Sequence, residues 1–261
     1  RDCVAAFFNC LGLETIDVGN PRAAELVKLA DNLWIDVSIA LGNLIALFCE
    51  SYGADVRKVI SAANTLSRGS SSVNILNPGL VGGSCLPKDP LFLAAVGEKL
   101  GIDTSLIVSA RNLNSSMYLH VLDLIRDGLS EAGKGVKESR VAVLGLAFKG
   151  ETSDTRESQS LKLIERLVEE GAEVIAFDPY VKEAPAETAS SVYEAVERAD
   201  AVVIATEHRA FQEVDWGRVW SLVKKPCVLV DARGIVDPKH AIELGFIWRG
   251  LGRPPQAFRR S

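Results

Sequence analysis

Four apolar runs in the second half of the chain alternate with stretches of helical periodicity such as "SQSLKLIERLVEE". They are "RVAVLGLAF" from Arg140, "EVIAFDPYV" from Glu173, "ADAVVIATEH" from Ala199 and "KPCVLVDARG" from Lys225. Runs this apolar are buried strands, and strands alternating with helices build a parallel sheet of the doubly wound kind. The same constraint says where a ligand goes, because such sheets bind at the carboxyl ends of their strands. Lys149 and Arg156 follow the first run and flank a helix start, where cations can hold phosphate, and Arg233 follows the last run. Ordinary surface charge accounts for these three equally well at this point. The turn in "VAVLGLAFKGETSDTRES" is not a G-x-G-x-x-G fingerprint, so its residues give dinucleotide binding poor support.

The first half reads as all-α. Asn20 is a good N-cap and Pro21 suits the first helical position. Apolar residues from Leu26 to Phe48 then recur at helical spacing until Gly53 offers a stop. A helix of about 30 residues is roughly 45 Å long. It is apolar on more than one face, which predicts burial in a helical core or a subunit interface. Further helices are expected at about 55–65, 89–100 and 103–132, and "ETIDVGN" reads as a short strand-like piece ahead of Asn20. The expected fold is therefore α/β: an all-α domain with a long helix over residues 20–135, a doubly wound Rossmann-like domain over 136–250, and a loose tail over 251–261.

A net charge of −5 argues against a duplex nucleic-acid partner. No uninterrupted apolar run reaches the roughly 18 residues of a membrane span, and no signal peptide is visible. The five cysteines, Cys3, Cys10, Cys49, Cys85 and Cys227, are scattered without C-x-x-C spacing. That pattern predicts free thiols in a reducing, cytoplasmic compartment, with neither zinc nor disulfides. Cys3, Cys10, Cys49 and Cys227 lie in apolar contexts and read as core fillers. His120, His208 and His240 share no motif and read as structural or exposed. The chain starts at Arg1 on an amphipathic segment without a start signal of its own, as a piece of a longer protein would.

Two constellations carry chemistry. On the long helix, Glu25, Lys28 and Asn32 lie on one face of neighbouring turns. Lys28 and Asn32 can both donate to one oxygen, which suits a developing alkoxide or hemiacetal oxyanion, although a solvated stripe gives the same spacing. The loop "VNILNPGLVGGSCLPKDP" is more specific. Asn74 and Asn77 offer amides, Pro78 and Gly79 make a turn, and Gly82 and Gly83 let backbone approach a ligand. Cys85 is then presented beside Lys88, whose charge favours thiolate, and Asp89 can accept a proton or orient water. The competing reading is a Gly/Pro-rich loop with an incidental cysteine.

In order along the chain, "AELVKLADN", "NPGLVGGSCLPKD", "LGLAFKGETSDTRES" and "DARG" resemble the UDP-glucose/GDP-mannose dehydrogenase family of nucleotide-sugar 6-dehydrogenases. The resemblance covers a central helical dimerisation domain and a C-terminal domain that binds the nucleotide sugar. It implies that residues 1–19 close a preceding NAD-binding domain. It assigns Cys85 as the nucleophile that captures a C6 aldehyde, Lys28 and Asn32 as oxyanion and water holders, and Asp89 as the proton-transfer carboxylate. The segment Asn74, Ile75, Leu76, Asn77, Pro78, with Gly82, Lys149 and Arg233, matches positions holding the UDP-sugar. Lys88 and Arg156 match positions that reach NAD, and Arg68 resembles, one residue out of register, an arginine that reaches a partner subunit's substrate. The family's glycine fingerprint and its catalytic glutamate and threonine are absent from this sequence, so the chain alone is expected to bind NAD poorly and not to turn over. "VNILNPGLVGG" and "DPLFL" resemble the UDP-N-acetylhexosamine branch, whereas "SCLPKD" is closer to the UDP-glucose branch; the resemblance favours the acetylated, N-acetylmannosamine-type substrate, with UDP-glucose as the alternative. Two other readings stand beside this one. A Lys/Asn pair four apart also resembles the β-hydroxyacid dehydrogenases, which make one hydride transfer without a nucleophilic cysteine, and a non-catalytic UDP-binding, dimerising fragment fits as well.

Overall fold

The long helix begins where the sequence predicts. Asn20 accepts from Ala23 N at 2.9 Å, Pro21 takes the first helical position, and Gly53, at φ +69°, closes the helix in the left-handed region. The structure, a computed structural model, describes residues 1–68 and 71–258, without the side chains of residues 67, 68, 71 and 72. Its first half holds helices α1 (Asp2–Cys10), α2 (Pro21–Tyr52) and α3 (Val56–Asn64), a two-stranded antiparallel ribbon of β1 (Ser67–Arg68) and β2 (Ser71–Ser72), then α4 (Asp89–Leu100) and α5 (Ser105–Glu131). Residues 14–19 form no strand, contrary to the reading of "ETIDVGN". One 18-residue window of α2, of mean hydropathy 1.6, is apolar enough to cross a membrane by length and composition. The helix also carries Asn32, Asp36 and Asn43, all buried and bonded to other parts of the fold.

The second half is a six-stranded parallel sheet. Its strands are β3 (Arg140–Leu144), β4 (Glu173–Phe177), β5 (Glu187–Thr188), β6 (Ala201–Ile204), β7 (Val228–Asp231) and β8 (Ile247–Gly250), ordered β5-β4-β3-β6-β7-β8. Counted within this domain, that is the doubly wound order 3-2-1-4-5-6, which reverses between β3 and β6 and leaves a crevice at that point. Helices α6 (Gln159–Glu169), α7 (Val192–Ala195), α8 (Arg209–Gln212), α9 (Trp216–Leu222) and α10 (Pro238–Leu244) connect the strands. The strands β5 and β8 lack the long apolar run that marks the other four. The first is two exposed residues, and the second carries Arg249, whose guanidinium bonds Asp127 at 2.7 Å and Glu131 at 2.6 Å on α5.

Alternate residues of β3 serve different cores. Val141 and Val143 pack with Met117, Val121, Ile125 and Leu129 of α5, while Ala142 and Leu144 pack with Phe211, Trp216 and Trp248 on the other face. The second half of α5 thus lies on the sheet, and Gly128 admits that contact, because a Cβ there would be driven into the Val228 side chain. The hydrophobic core runs continuously across residue 135.

Two further expectations are corrected. Residues 251–258 are not a loose tail. Leu251 is buried, Val56 N donates to Gly252 O at 2.8 Å, Gly252 N donates to Glu50 at 2.7 Å, and Arg253 pairs with Asp55 at 3.4 Å. Residues 259–261 lie outside the described residues. Leu251→Ala should cost about 2 kcal/mol, the low end for a buried leucine. A urea midpoint unchanged by the substitution would show that this segment adds nothing to stability. The second correction concerns thiols: Cys49 and Cys227 are buried as core fillers, but Cys3 and Cys10 are exposed on α1, none of whose residues is buried.

Candidate functional site

The Cys85 turn is locked to the start of α4. Lys88 N and Asp89 N both donate to the Cys85 carbonyl, at 3.1 and 2.8 Å, leaving the thiol exposed on a closed turn. Asp89, buried at the first position of α4, ties this turn to α2. Its carboxylate accepts from Asn32 Nδ2 at 2.6 Å and pairs with the Lys88 ammonium. The Lys88 bond holds the Asp89 carboxyl below its usual range, against the burial that would raise it, and the Asn32 bond adds to the lowering. Lys28 donates to Asn32 Oδ1 at 2.9 Å and pairs with Asp31 at 3.4 Å. The predicted quartet is therefore assembled around Asp89. Lys28 and Asn32 are bonded to each other rather than both idle, and Lys88 faces Asp89 and the Phe92 ring.

The cleft beside this turn has a volume of about 630 Å³ and opens at the carboxyl edge of the sheet. Asn77, Pro78 and Gly82 line it from the first domain; Phe148, Lys149, Glu207 and Arg233 line it from the second. Arg233 pairs with Glu207 and donates to the Leu80 carbonyl at 3.1 Å, so it braces one domain against the other. Burial would raise the Glu207 carboxyl, but Arg233 and the Gly150 N–H bring it below its usual range. The turn that carries Arg233 is organised by buried Asp231, which accepts from the backbone N–H of Arg233, Gly234 and Val236 at 2.9, 2.6 and 2.8 Å.

Not every predicted residue faces this cleft. Asn74 and Ile75 line an apolar groove on α2 with Trp34, Val37 and Leu41, and the Leu76 carbonyl lies against Gly42. Gly82, which also lines the cleft, and Gly83 serve the domain interface. A Cβ on Gly82 would sit 2.6 Å from Glu157 O and 2.8 Å from Phe148 Cβ, and Gly83, at φ +88°, packs on the Phe148 ring. Arg156 pairs with Asp154, pulling that carboxyl down to about 2, while Gly83 N donates to Arg156 O at 2.9 Å and so brings its loop beside the cysteine turn. The side chain of Arg68 lies outside the described residues.

Sequence reasoning missed the residues that hold the loop. Asn43 clamps Gly79 through both groups, at 2.8 and 3.2 Å, and Asn64 does the same to Ile75, at 2.8 and 2.9 Å. Their signal was faint: two asparagines in helices, where they favour other conformations unless the side chain has a use. Glu207 and Arg57, which lines the cleft and donates to the Arg233 carbonyl at 2.6 Å, were missed as well.

Comparison with known proteins identifies what this arrangement belongs to. The central domain of the UDP-glucose/GDP-mannose dehydrogenase family matches residues 22–116, and the family's UDP binding domain matches residues 142–238. The UDP-N-acetyl-D-mannosamine dehydrogenase of Pyrococcus horikoshii is 40% identical over 235 residues, which are 90% of this chain and 53% of that protein. The UDP-glucose 6-dehydrogenase TuaD of Bacillus subtilis is 35% identical over 243 residues, 90% of this chain and 51% of that protein. Among solved structures, the NDP-N-acetyl-D-galactosaminuronic acid dehydrogenase of Methanosarcina mazei superposes with a TM-score of 0.84 at 32% identity, covering 92% of this chain and 52% of that one. The chain thus spans about half the length of the curated relatives it matches. Its two matched domains, in this order and on this fold, make it a member of the UDP-glucose/GDP-mannose dehydrogenase family.

Proposed function

We propose that the chain is the thiol-bearing and substrate-holding part of an NAD-dependent nucleotide-sugar 6-dehydrogenase, acting on a UDP-N-acetylhexosamine of the N-acetylmannosamine type. The observation that carries this reading is the exposed Cys85 thiol on a turn tied through Asp89 to Asn32, next to a cleft with Lys149 and Arg233. Identity of 40% to a UDP-N-acetyl-D-mannosamine dehydrogenase, against 35% to a UDP-glucose 6-dehydrogenase, favours the acetylated sugar.

The chemistry assigns each residue a task. The C6 alcohol is first oxidised to the aldehyde. The Cys85 sulfur then adds to that carbon, forming a C–S bond, and the carbonyl oxygen becomes the hydroxyl of a thiohemiacetal. Loss of a second hydride and the hydroxyl proton leaves a thioester, and water breaks the C–S bond to give the uronate and the free thiol. The Lys28 ammonium and the remaining Asn32 N–H stabilise the oxygen as it takes up charge. Asp89, kept ionised at neutral pH by Lys88 and Asn32, accepts a proton from the attacking water. NAD supplies the acceptor for the two hydrides. Toward it this chain offers Lys88 and Arg156, whose side chains are 56% and 68% exposed near the cysteine turn, while the β3 turn lacks a dinucleotide fingerprint. The apolar face of α2, with Trp34, Leu41, Leu44 and Phe48 exposed, suits the pairing of two copies.

Titration of UDP into the chain, followed by calorimetry, tests the reading. Binding is expected, and Lys149→Ala should weaken it about tenfold, the loss of one charge-assisted phosphate contact. A chain that takes up neither UDP nor the sugar nucleotide has no nucleotide-sugar cleft.

A further inference from the structure

One buried polar chain joins the two halves of the site. Arg111, on α5, pairs with Asp36, on α2, and the same Nη1 donates to the Leu86 carbonyl at 3.2 Å, one residue past Cys85. Asp36 in turn accepts from Asn114 Nδ2, at 2.8 Å through its carboxylate and 2.9 Å through its backbone carbonyl. Asn114 Oδ1 accepts from Asn43 Nδ2 at 2.9 Å, and Asn43 grips Gly79, the residue after Pro78. Asp36, Asn43 and Asn114 are each 0% exposed and Arg111 is 5% exposed. At the far end, Gln159 donates to the Asn114 carbonyl at 2.8 Å and to the Val81 carbonyl at 2.6 Å, which draws the second domain into the same chain.

A buried ion pair is a poor source of stability, because desolvating two charges offsets most of their attraction. Here it also leaves Asp36 Oδ2 without a hydrogen-bond partner. Its geometry has another use. Apart from the Gln159 bonds from α6, every link lies between α2, α5 and one of two loops, and each loop contributes backbone rather than side chain. We propose that Arg111, with Asp36, Asn114 and Asn43, is a positioning device that sets the distance between the Cys85 turn and the Asn77–Gly79 loop, so that a sugar nucleotide held by the loop meets the thiol at its C6. None of the four is a catalytic residue. The proposal rests on the cleft being the nucleotide site.

The probe is the rate at which iodoacetamide alkylates Cys85, read by mass spectrometry on the chain with and without UDP. UDP lacks the sugar that would cover the thiol, so any slowing must travel through the protein. UDP is expected to slow alkylation at least twofold. The paired variant Asp36→Asn/Arg111→Gln removes both charges together and so leaves no unpaired one. It should speed alkylation about threefold without nucleotide, and UDP should then have no effect on the rate while its affinity stays within threefold. Asn43→Ala cuts the chain at the other end: at UDP concentrations shown by calorimetry to saturate this variant, the UDP effect on the alkylation rate should be lost. Should the paired variant unfold, by circular dichroism, Asn43→Ala decides alone. An alkylation rate that UDP slows equally in both variants overturns the device. UDP that fails to bind even the unsubstituted chain overturns the assignment of the cleft instead, and an unaltered rate in the nucleotide-free paired variant would then overturn the device independently.

Discussion

Adding one methyl group at Gly42 is expected to weaken UDP binding at least tenfold, although Gly42 touches no ligand and sits in the middle of the long helix. Glycine there is costly to a helix by about 1 kcal/mol relative to alanine, so on propensity alone Gly42→Ala should stabilise. The packing says otherwise. Gly42 is buried, and a Cβ on it would be driven into the Leu76 carbonyl oxygen, with Pro78 N at 3.3 Å and Asn77 C at 3.4 Å. All three neighbours are backbone, so no side chain can swing aside. The loop has to lift by roughly 1 Å, and errors of that size in a positioned group can cost two orders of magnitude in function. Lifting also pulls Leu76 N off Ser38 Oγ, at 3.2 Å, and Gly79 off Asn43. Calorimetry with UDP, together with a urea melt, separates the outcomes. Weaker binding with a loss of about 1–3 kcal/mol fits overpacking. Unchanged affinity with added stability would mean that the loop does not rest on the helix.

The same glycine illustrates what could be read from the sequence. The alternation of apolar runs and helical stretches announced the parallel sheet, and Asn20, Pro21 and Gly53 bounded the long helix, because those signals are local. The cysteine turn was legible for the same reason: Cys85, Lys88 and Asp89 fall within one turn of chain. Lys28 and Asn32 were found through their spacing, but their bonds to each other and to Asp89, 57 residues away from Asn32, were not, since nothing in a spacing says what stands opposite. Asp36 carries no local signal of its role, and it is fully buried against Arg111, 75 residues on. Gly82 and Gly83 promise room for a ligand in the sequence; in the fold Gly82 does line the cleft, but both also make room for Phe148, and Gly82 for Glu157. Glycine records that something comes close; only the fold says what. The tail after Gly250 fails in the same way, because Gly252 has no periodicity to betray its seat against Ala46 and Val56.

Asp178→Asn should be the most damaging single change in the second domain, at about 4 kcal/mol near neutral pH. Asp178 follows β4, where its carboxylate is fully buried and collects five donors. Leu146 N and Ala147 N reach it at 2.7 and 3.2 Å from the turn after β3, Tyr180 N and Val181 N at 2.8 and 3.1 Å, and His208 Nε2 at 3.0 Å from beyond β6. His208 Nδ1 accepts from Glu151 N at 3.0 Å, which fixes the neutral tautomer with its proton on Nε2, facing Asp178. One carboxylate thus fastens three strand ends around the crevice. An amide has one acceptor oxygen and would turn two N–H groups toward donors, so at least two buried donors go unmet at about 1–3 kcal/mol each.

The pH dependence gives the test its second arm. Burial would raise the Asp178 carboxyl, but His208 and the backbone N–H groups overcome it and hold the value at about 2. A carboxylate depressed in the folded state contributes stability that is complete above its free value, near 4, and that disappears as pH falls toward 2. The drop of nearly two pH units is worth about 2.5 kcal/mol. Urea melts of the two proteins should therefore differ by about 4 kcal/mol at pH 7 and by roughly 2 kcal/mol at pH 2, where the folded-state carboxyl is half protonated. Asp154, also near 2, owes its value to the exposed Arg156 and should leave that comparison untouched. A gap between the proteins that stays constant from pH 7 to pH 2 would show that Asp178 acts by shape rather than by charge, and the strand ends would then have to be held by something other than its carboxylate.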